Sequence, residues 1–252
     1  MQMPMRNGLM ALLAANKGRG FFRADVGTNG EATLYLYDAI VSDDFWGGVS
    51  AISVMKELAN LRDASTIHLR INSPGGDVFA GRAIEQGIRE HPANIISHVD
   101  GYAASAMSYV AIAANEVVMA PGAMFMIHKA WTVGWGNSED LLKTAALLEH
   151  IDESLVETYA TATGQDPAQL RDWMRAETWF TAADSVANGF ADRIAGQEDG
   201  ASAKARTGWD LSAYAHAPSS PAPAIQPENQ DIPQQPAFDP AHALRRLEAA
   251  LI

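Results

Sequence analysis

Acyl transfer to a hydroxyl side chain needs a nucleophile, a base that takes its proton, and N–H donors aimed at the developing oxyanion. The sequence offers a candidate for each. Ser105 stands in Gly101-Tyr102-Ala103-Ala104-Ser105-Ala106-Met107, where a strand-like run gives way to a helix-like one. A serine on such a turn sits on a sharp bend at the positive end of a helix. The small Ala103, Ala104 and Ala106 leave room for a substrate backbone. Asn72-Ser73-Pro74-Gly75-Gly76 also separates a strand from a helix. Its two glycines let backbone N–H groups face a cleft with no Cβ in the way, which suits an oxyanion hole. His128 ends the apolar run Met124-Phe125-Met126-Ile127, and the C-terminal end of a sheet strand is where α/β sites open. Each residue alone also has a plainer reading: a helix cap for Ser105, a tight turn for the glycines, a buried and satisfied imidazole for His128.

The elements that must position these residues alternate along the chain. Thr33 to Tyr37 is β-rich, and Gly47-Gly48 marks a loop. Val49 to Leu61 carries apolar residues at helical spacing. Thr66 to Ile71 alternates as a strand, and Asp77 to Glu90 reads as a helix with an acidic residue at its positive end. Asn94 to Val99 is a strand ended by Gly101, and Ser105 onward is a buried helix. Val117 to Met119 and Met124 to Ile127 are short strands around Pro121-Gly122. Ser138 to Thr163 is a long amphipathic helix ended by Gly164, and Pro167 opens another at its first turn. Thr181 to Asp184 is a capping box for a last short helix closed by Gly189. Strand and helix in alternation mean an α/β fold with a largely parallel sheet.

Composition narrows the chemistry. The chain has 252 residues, 48% of them apolar, enough for one domain with an extension. A net charge of −12 opposes binding to nucleic acid through phosphates. With no cysteine, disulfides, thiolate catalysis and Cys-ligated metals are excluded. The seven histidines show no metal-ligand spacing, so no metal or other cofactor is expected. His150, His216 and His242 carry no functional signal. No run reaches the roughly 18–20 apolar residues of a membrane helix. Residues 1–20 form a leader in which Arg6 precedes an apolar stretch from Leu9 to Ala15, too short for a secretion signal with a clear cleavage site. Residues 21–196 are the domain proper. Seven of the twelve prolines lie from Pro218 to Pro240, so residues 197–240 read as a disordered Pro/Ala-rich linker. Residues 241–252 read as a short helix with Leu244, Leu247 and Leu251 on one face, or as a frayed tail.

Taken together, Ile71 to Gly76 with Ala80-Gly81, then Gly101-x-Ala103-Ala104-Ser105, then Met126-Ile127-His128, resemble the proteolytic subunit of the Clp protease in order and separation. The segment from Trp179 to Asp192 resembles that family's closing motif, and the likeness spans roughly residues 30 to 196. Phe45-Trp46-Gly47-Gly48, Gly76 to Gly81 and Glu177-Thr178-Trp179-Phe180 look like the phage and prophage subgroup assigned to head maturation.

The resemblance implies a ClpP/crotonase-like fold of repeated β-β-α units, with a protruding handle helix at Ser138–Thr163 that interlocks rings. It implies a cytoplasmic serine endopeptidase acting on polypeptides as a homo-oligomeric, stacked ring. By residue, it makes Ser105 the nucleophile, His128 the base, and Gly76 and Ala106 the backbone donors of the oxyanion hole. Ala106 stands where many relatives have Met, a change that spares the backbone N–H. Aligning the family's acid places Glu177 there, with Asp172 as the alternative if the register slips. The first 20 residues do not resemble the family's axial segment, and the extension after residue 197 is not a family feature. An ATPase unfoldase and capsid proteins therefore both stay open as partners. Two further readings also stay open: a Ser–Lys pair using Lys129, and a catalytically silent scaffold subunit.

Overall fold

The computed structural model describes residues 16, 18–27, 29–44, 47–196 and 209–218. In chain order the elements are β1 (Phe21–Val26), β2 (Glu31–Tyr37), β3 (Ile40–Val41), β4 (Val49–Ser50), α1 (Ala51–Asn60), β5 (Thr66–Ser73), α2 (Val78–Glu90), β6 (Asn94–Ala104), α3 (Ala106–Ala111), β7 (Glu116–Met119), β8 (Met124–Ile127), α4 (Ser138–Thr163), α5 (Pro167–Ala176), β9 (Thr178–Thr181), α6 (Ala182–Ala187) and β10 (Arg193–Ile194). An eight-stranded sheet runs β1-β2-β5-β6-β7-β10, with β8 on β6 and β9 on β8. All its pairings are parallel except β1 with β2 and β8 with β9.

The sheet's two faces follow from the alternation of side chains along a strand. Leu34, Leu36, Ile67, Leu69, Ile71, Ile95 and Val99 are buried on one face, with Val54 and Leu58 of α1, Ile84 and Ile88 of α2, and Leu155 and Tyr159 of α4 in the same cluster. Each such fully buried side chain contributes about 1.5–3 kcal/mol of transfer free energy. The opposite face is polar. Tyr37 Oη donates to Asp100, Arg70 Nε donates to the same carboxylate at 2.8 Å, and the His68 and His98 rings meet at 2.9 Å. Burial, with Arg70, His68 and Arg193 nearby, holds His98 down at about 4.

Local signals hold closely at the helices. Ser50 caps α1, Asp77 caps α2 by accepting from Ala80 N, and Asn137 with Asp140 forms a capping box for α4. Gly164 closes α4 in the left-handed region at φ 70°. Pro167 opens α5 and Thr181 with Asp184 caps α6.

The structure differs from the sequence reading at several points, among them β1 and β4, which that reading did not include. β6 runs through Gly101 to Ala104 instead of ending. That glycine serves a close approach, because a Cβ there would lie 2.4 Å from Asn72 Oδ1. The helix after Ser105 is only six residues long. β9, unread in the sequence, adds an antiparallel strand beside β8. Within the extension read as a linker, residues 209–218 are described and pack on the body, with Trp209, Leu211 and Tyr214 buried. Phe45, Trp46, the stretch from Leu9 to Ala15 and the helix proposed for 241–252 lie outside the described residues.

Candidate active site

β6 is long enough to pair twice. Its first half lies along β7 and its last residues, Tyr102 to Ala104, lie along β8. Ser105 follows the end of β6 and His128 follows the end of β8. Parallel pairing therefore brings both to the same sheet end, with Ser105 Oγ 2.7 Å from His128 Nε2. Ser105 N donates to Met126 O at 3.0 Å, tying the serine turn to the strand that carries the histidine.

The turn itself is strained. Ser105 has φ 53° and ψ −123°, and makes no side-chain cap bond to α3. The cap reading is thereby excluded: its hydroxyl faces His128 instead. Such a conformation costs about 1–3 kcal/mol and persists only where the surroundings impose it. Here Ser108 does so, donating from N at 2.9 Å and from Oγ to the Ser105 carbonyl, while its hydroxyl also meets Tyr159 Oη at 2.6 Å inside the core.

The glycine loop is pressed against this turn. A Cβ on Gly75, at φ 87°, would lie 2.7 Å from Ser105 Cβ and 2.9 Å from Ala106 N. Gly76, at φ 151°, would drive a Cβ to 2.0 Å from Ile40 O. Only glycine fits either position. A register irregularity between Ile71 and Ser73 turns the loop toward β6, and the buried Asn72 stitches it there by accepting from Tyr102 N at 3.2 Å. Ala106 opens α3, so its N–H has no acceptor within the helix.

The acid positions separate clearly. One step beyond the β8–β9 ladder, whose last pair is Ile127 with Thr178, stand His128 and Glu177. Glu177 is 8% exposed and adopts φ 51° at the end of α5. Among the described residues, Ser105 and Glu177 are the two non-glycine residues with positive φ. Asp172 lies on the outside of α5 and pairs with Arg175, both about two-thirds exposed. Lys129 points away from Ser105, since its ammonium is 3.1 Å from Asp152 Oδ2.

One group at the site was not foreseen. The Tyr214 ring stacks edge-on against His128, with centroids 5.4 Å apart, and against Trp179 at 5.8 Å. Its hydroxyl donates to Pro74 O in the glycine loop. Burial pushes the Tyr214 phenol up; a hydrogen bond with Ser105 opposes this and the Glu177 charge adds to it. The amides of Ala215 and His216 donate to the two Glu177 carboxylate oxygens at 3.0 and 2.6 Å. The signal for this was Trp209-x-Leu211-x-x-Tyr214, an apolar aromatic island just ahead of the proline-rich stretch.

Comparison with known proteins identifies the family of the chain. A family model described as Clp protease matches residues 37–198. The chain is 32% identical over 130 residues to ATP-dependent Clp protease proteolytic subunit 1 of Leifsonia xyli, covering 51% of this chain and 66% of that subunit. It is 34% identical over 152 residues to proteolytic subunit 1 of Streptomyces avermitilis, covering 58% of this chain and 70% of that subunit. Among solved structures, a point mutant of ClpP1 from Listeria monocytogenes superimposes with a TM-score of 0.58 at 25% identity, covering 67% of this chain and 93% of that one. The α/β architecture with its mostly parallel sheet is thus the ClpP-like fold, and the chain belongs to the Clp protease family.

Proposed function

We propose that the chain is a serine endopeptidase in which Ser105 is the nucleophile, His128 the general base and Glu177 the acid that orients it. The observation that carries this is the 2.7 Å contact between Ser105 Oγ and His128 Nε2 on a strained turn facing a glycine loop. His128 Nε2 takes the hydroxyl proton as Oγ attacks the peptide carbonyl. The oxyanion accepts from the N–H groups of Gly76 and Ala106. The imidazolium gives its proton to the leaving amine, and water then releases the acyl group by the same steps reversed. A buried carboxylate at position 177 favours the imidazolium and selects the tautomer with the proton on Nδ1.

Assembly is part of the reading. Trp131, Val133 and Trp135 in the connection before α4, and Leu141, Leu142 and Leu147 on α4 itself, are exposed in the single chain. An apolar surface of that size calls for a partner, and a second ring of the same chain supplies one. The motifs around Gly47-Gly48, Gly76–Gly81 and Glu177–Phe180 favour the phage head-maturation subgroup, which would make capsid proteins the substrates and the bacterial cytoplasm the setting.

The test is a fluorophosphonate probe on the purified, assembled protein beside Ser105→Ala and His128→Ala, with the adduct located by peptide mass spectrometry. Labelling at Ser105 that both variants abolish is the expected result. An assembled protein that never labels would leave a silent scaffold subunit as the better reading.

A further inference from the structure

A later segment of the chain packs against the groups around Ser105 and His128. Trp209, Leu211 and Tyr214 form a cluster with Ala39, Ala104 and Met126. Ala104 precedes the serine, Met126 lies on the histidine strand, and Ala39 adjoins Ile40, whose N–H and C=O clasp the glycine loop at Gly75 and Asp77. The segment therefore touches all three walls of the site. Its polar bonds go to site groups as well: the Tyr214 hydroxyl to Pro74 O, and two consecutive amides to Glu177. At its start, Asp210 exchanges two hydrogen bonds with the buried Asn16 side chain, at 3.0 and 2.7 Å. An extended peptide entering the site would meet the same groups.

The docking is also imperfect. Among the described residues, the buried side-chain polar atoms without a partner are Trp179 Nε1 and Trp209 Nε1, and both belong to this cluster. An unpaired buried donor costs about 1–3 kcal/mol. Release of the segment would return both indoles to water.

We infer that residues 209–217 are a reversible internal occupant of the substrate cleft, with Tyr214 in a pocket beside His128 that accepts aromatic side chains of substrates. The inference rests on the protease reading of the same site. While docked, the segment covers Ser105 and engages the Glu177 carboxylate through Ala215 and His216. Peptides must displace it, so the free cleft is only a fraction of the population and apparent affinity falls by that fraction.

The experiment is the rate of fluorophosphonate labelling of Ser105 in the full chain and in Tyr214→Ala, with hydrogen exchange of residues 209–217 followed in parallel. Tyr214→Ala should lose exchange protection in the segment and label about tenfold faster or more. A synthetic peptide of residues 209–217, added in trans, should slow labelling of the variant again, and the same peptide with alanine at the tyrosine should do so less. Equal or slower labelling of a folded Tyr214→Ala overturns the inference and leaves the protease reading intact. If the segment is released yet neither protein labels, the inference falls together with the protease reading.

Discussion

The main core draws buried side chains from elements all along the chain between Ala32 and Ala191, whereas the cluster over Ser105 joins Ala39, Ala104 and Met126 of the body to three side chains of a separate segment. In the core, Phe190 lies within ring contact of Phe125, Tyr159, Trp173 and Phe180, so four elements meet on one residue. Loss of such a contact is felt by the whole fold. In the cluster over the site, two indole N–H groups go unpaired and the segment's bonds are few enough to break together. The first region is built to persist and the second to open on its own, as locally unfolding units do. The catalytic candidates lie on the seam: Ser105 is held from beneath by Ser108 and Tyr159 of the core and covered from above by Tyr214.

The comparison can be broken most decisively at the serine. Ser105→Ala should lower peptide hydrolysis by about 10⁴–10⁶-fold while leaving the melting temperature nearly unchanged, as read by peptidase assay and calorimetry. Glu177→Gln should cost less, about 10²–10⁴-fold in kcat. If the carboxylate acts through the imidazolium, that loss should fall on kcat more than on KM.

On the stability side, Phe190→Ala should cost about 3–5 kcal/mol, whereas Trp209→Ala should barely move the melting temperature because the segment's docking is all that is lost. Equal destabilisation by the two would show that segment and body form one cooperative unit.

The polar sheet face offers a smaller effect with a definite sign. His98 is held at about 4 against an ordinary 6.5, by burial first and then by the charge of Arg70. The unfolded chain therefore binds more protons between those values, and stability present above pH 6.5 is lost as pH falls toward 4. After discounting for partial exposure this amounts to on the order of 1 kcal/mol, a shift of about 2–4 °C, which His98→Asn should remove. Smallest of all, Asp172→Asn should change activity and stability little, since it breaks only an exposed pair with Arg175. A large loss of activity there would return the acid role to Asp172.

What the sequence by itself determined is local and periodic. Ser105, His128 and the Gly75-Gly76 loop were legible because each sits where a strand pattern stops, and a strand's end is written in a few adjacent residues. The long helix was legible to the residue, since Asn137 and Gly164 cap it through bonds within one turn. The choice between Glu177 and Asp172 was left open because five residues of spacing cannot say which way a carboxylate faces. Antiparallel pairing of β8 with β9 supports Glu177 in that role, because position 177 lies one step past the ladder's end, as His128 does, while Asp172 pairs with Arg175 on the exposed side of α5. Only the tertiary structure placed Tyr214 at the site. Its partners Pro74 and Glu177 lie far away in sequence, and a contact of that range leaves no periodic trace in the chain that makes it.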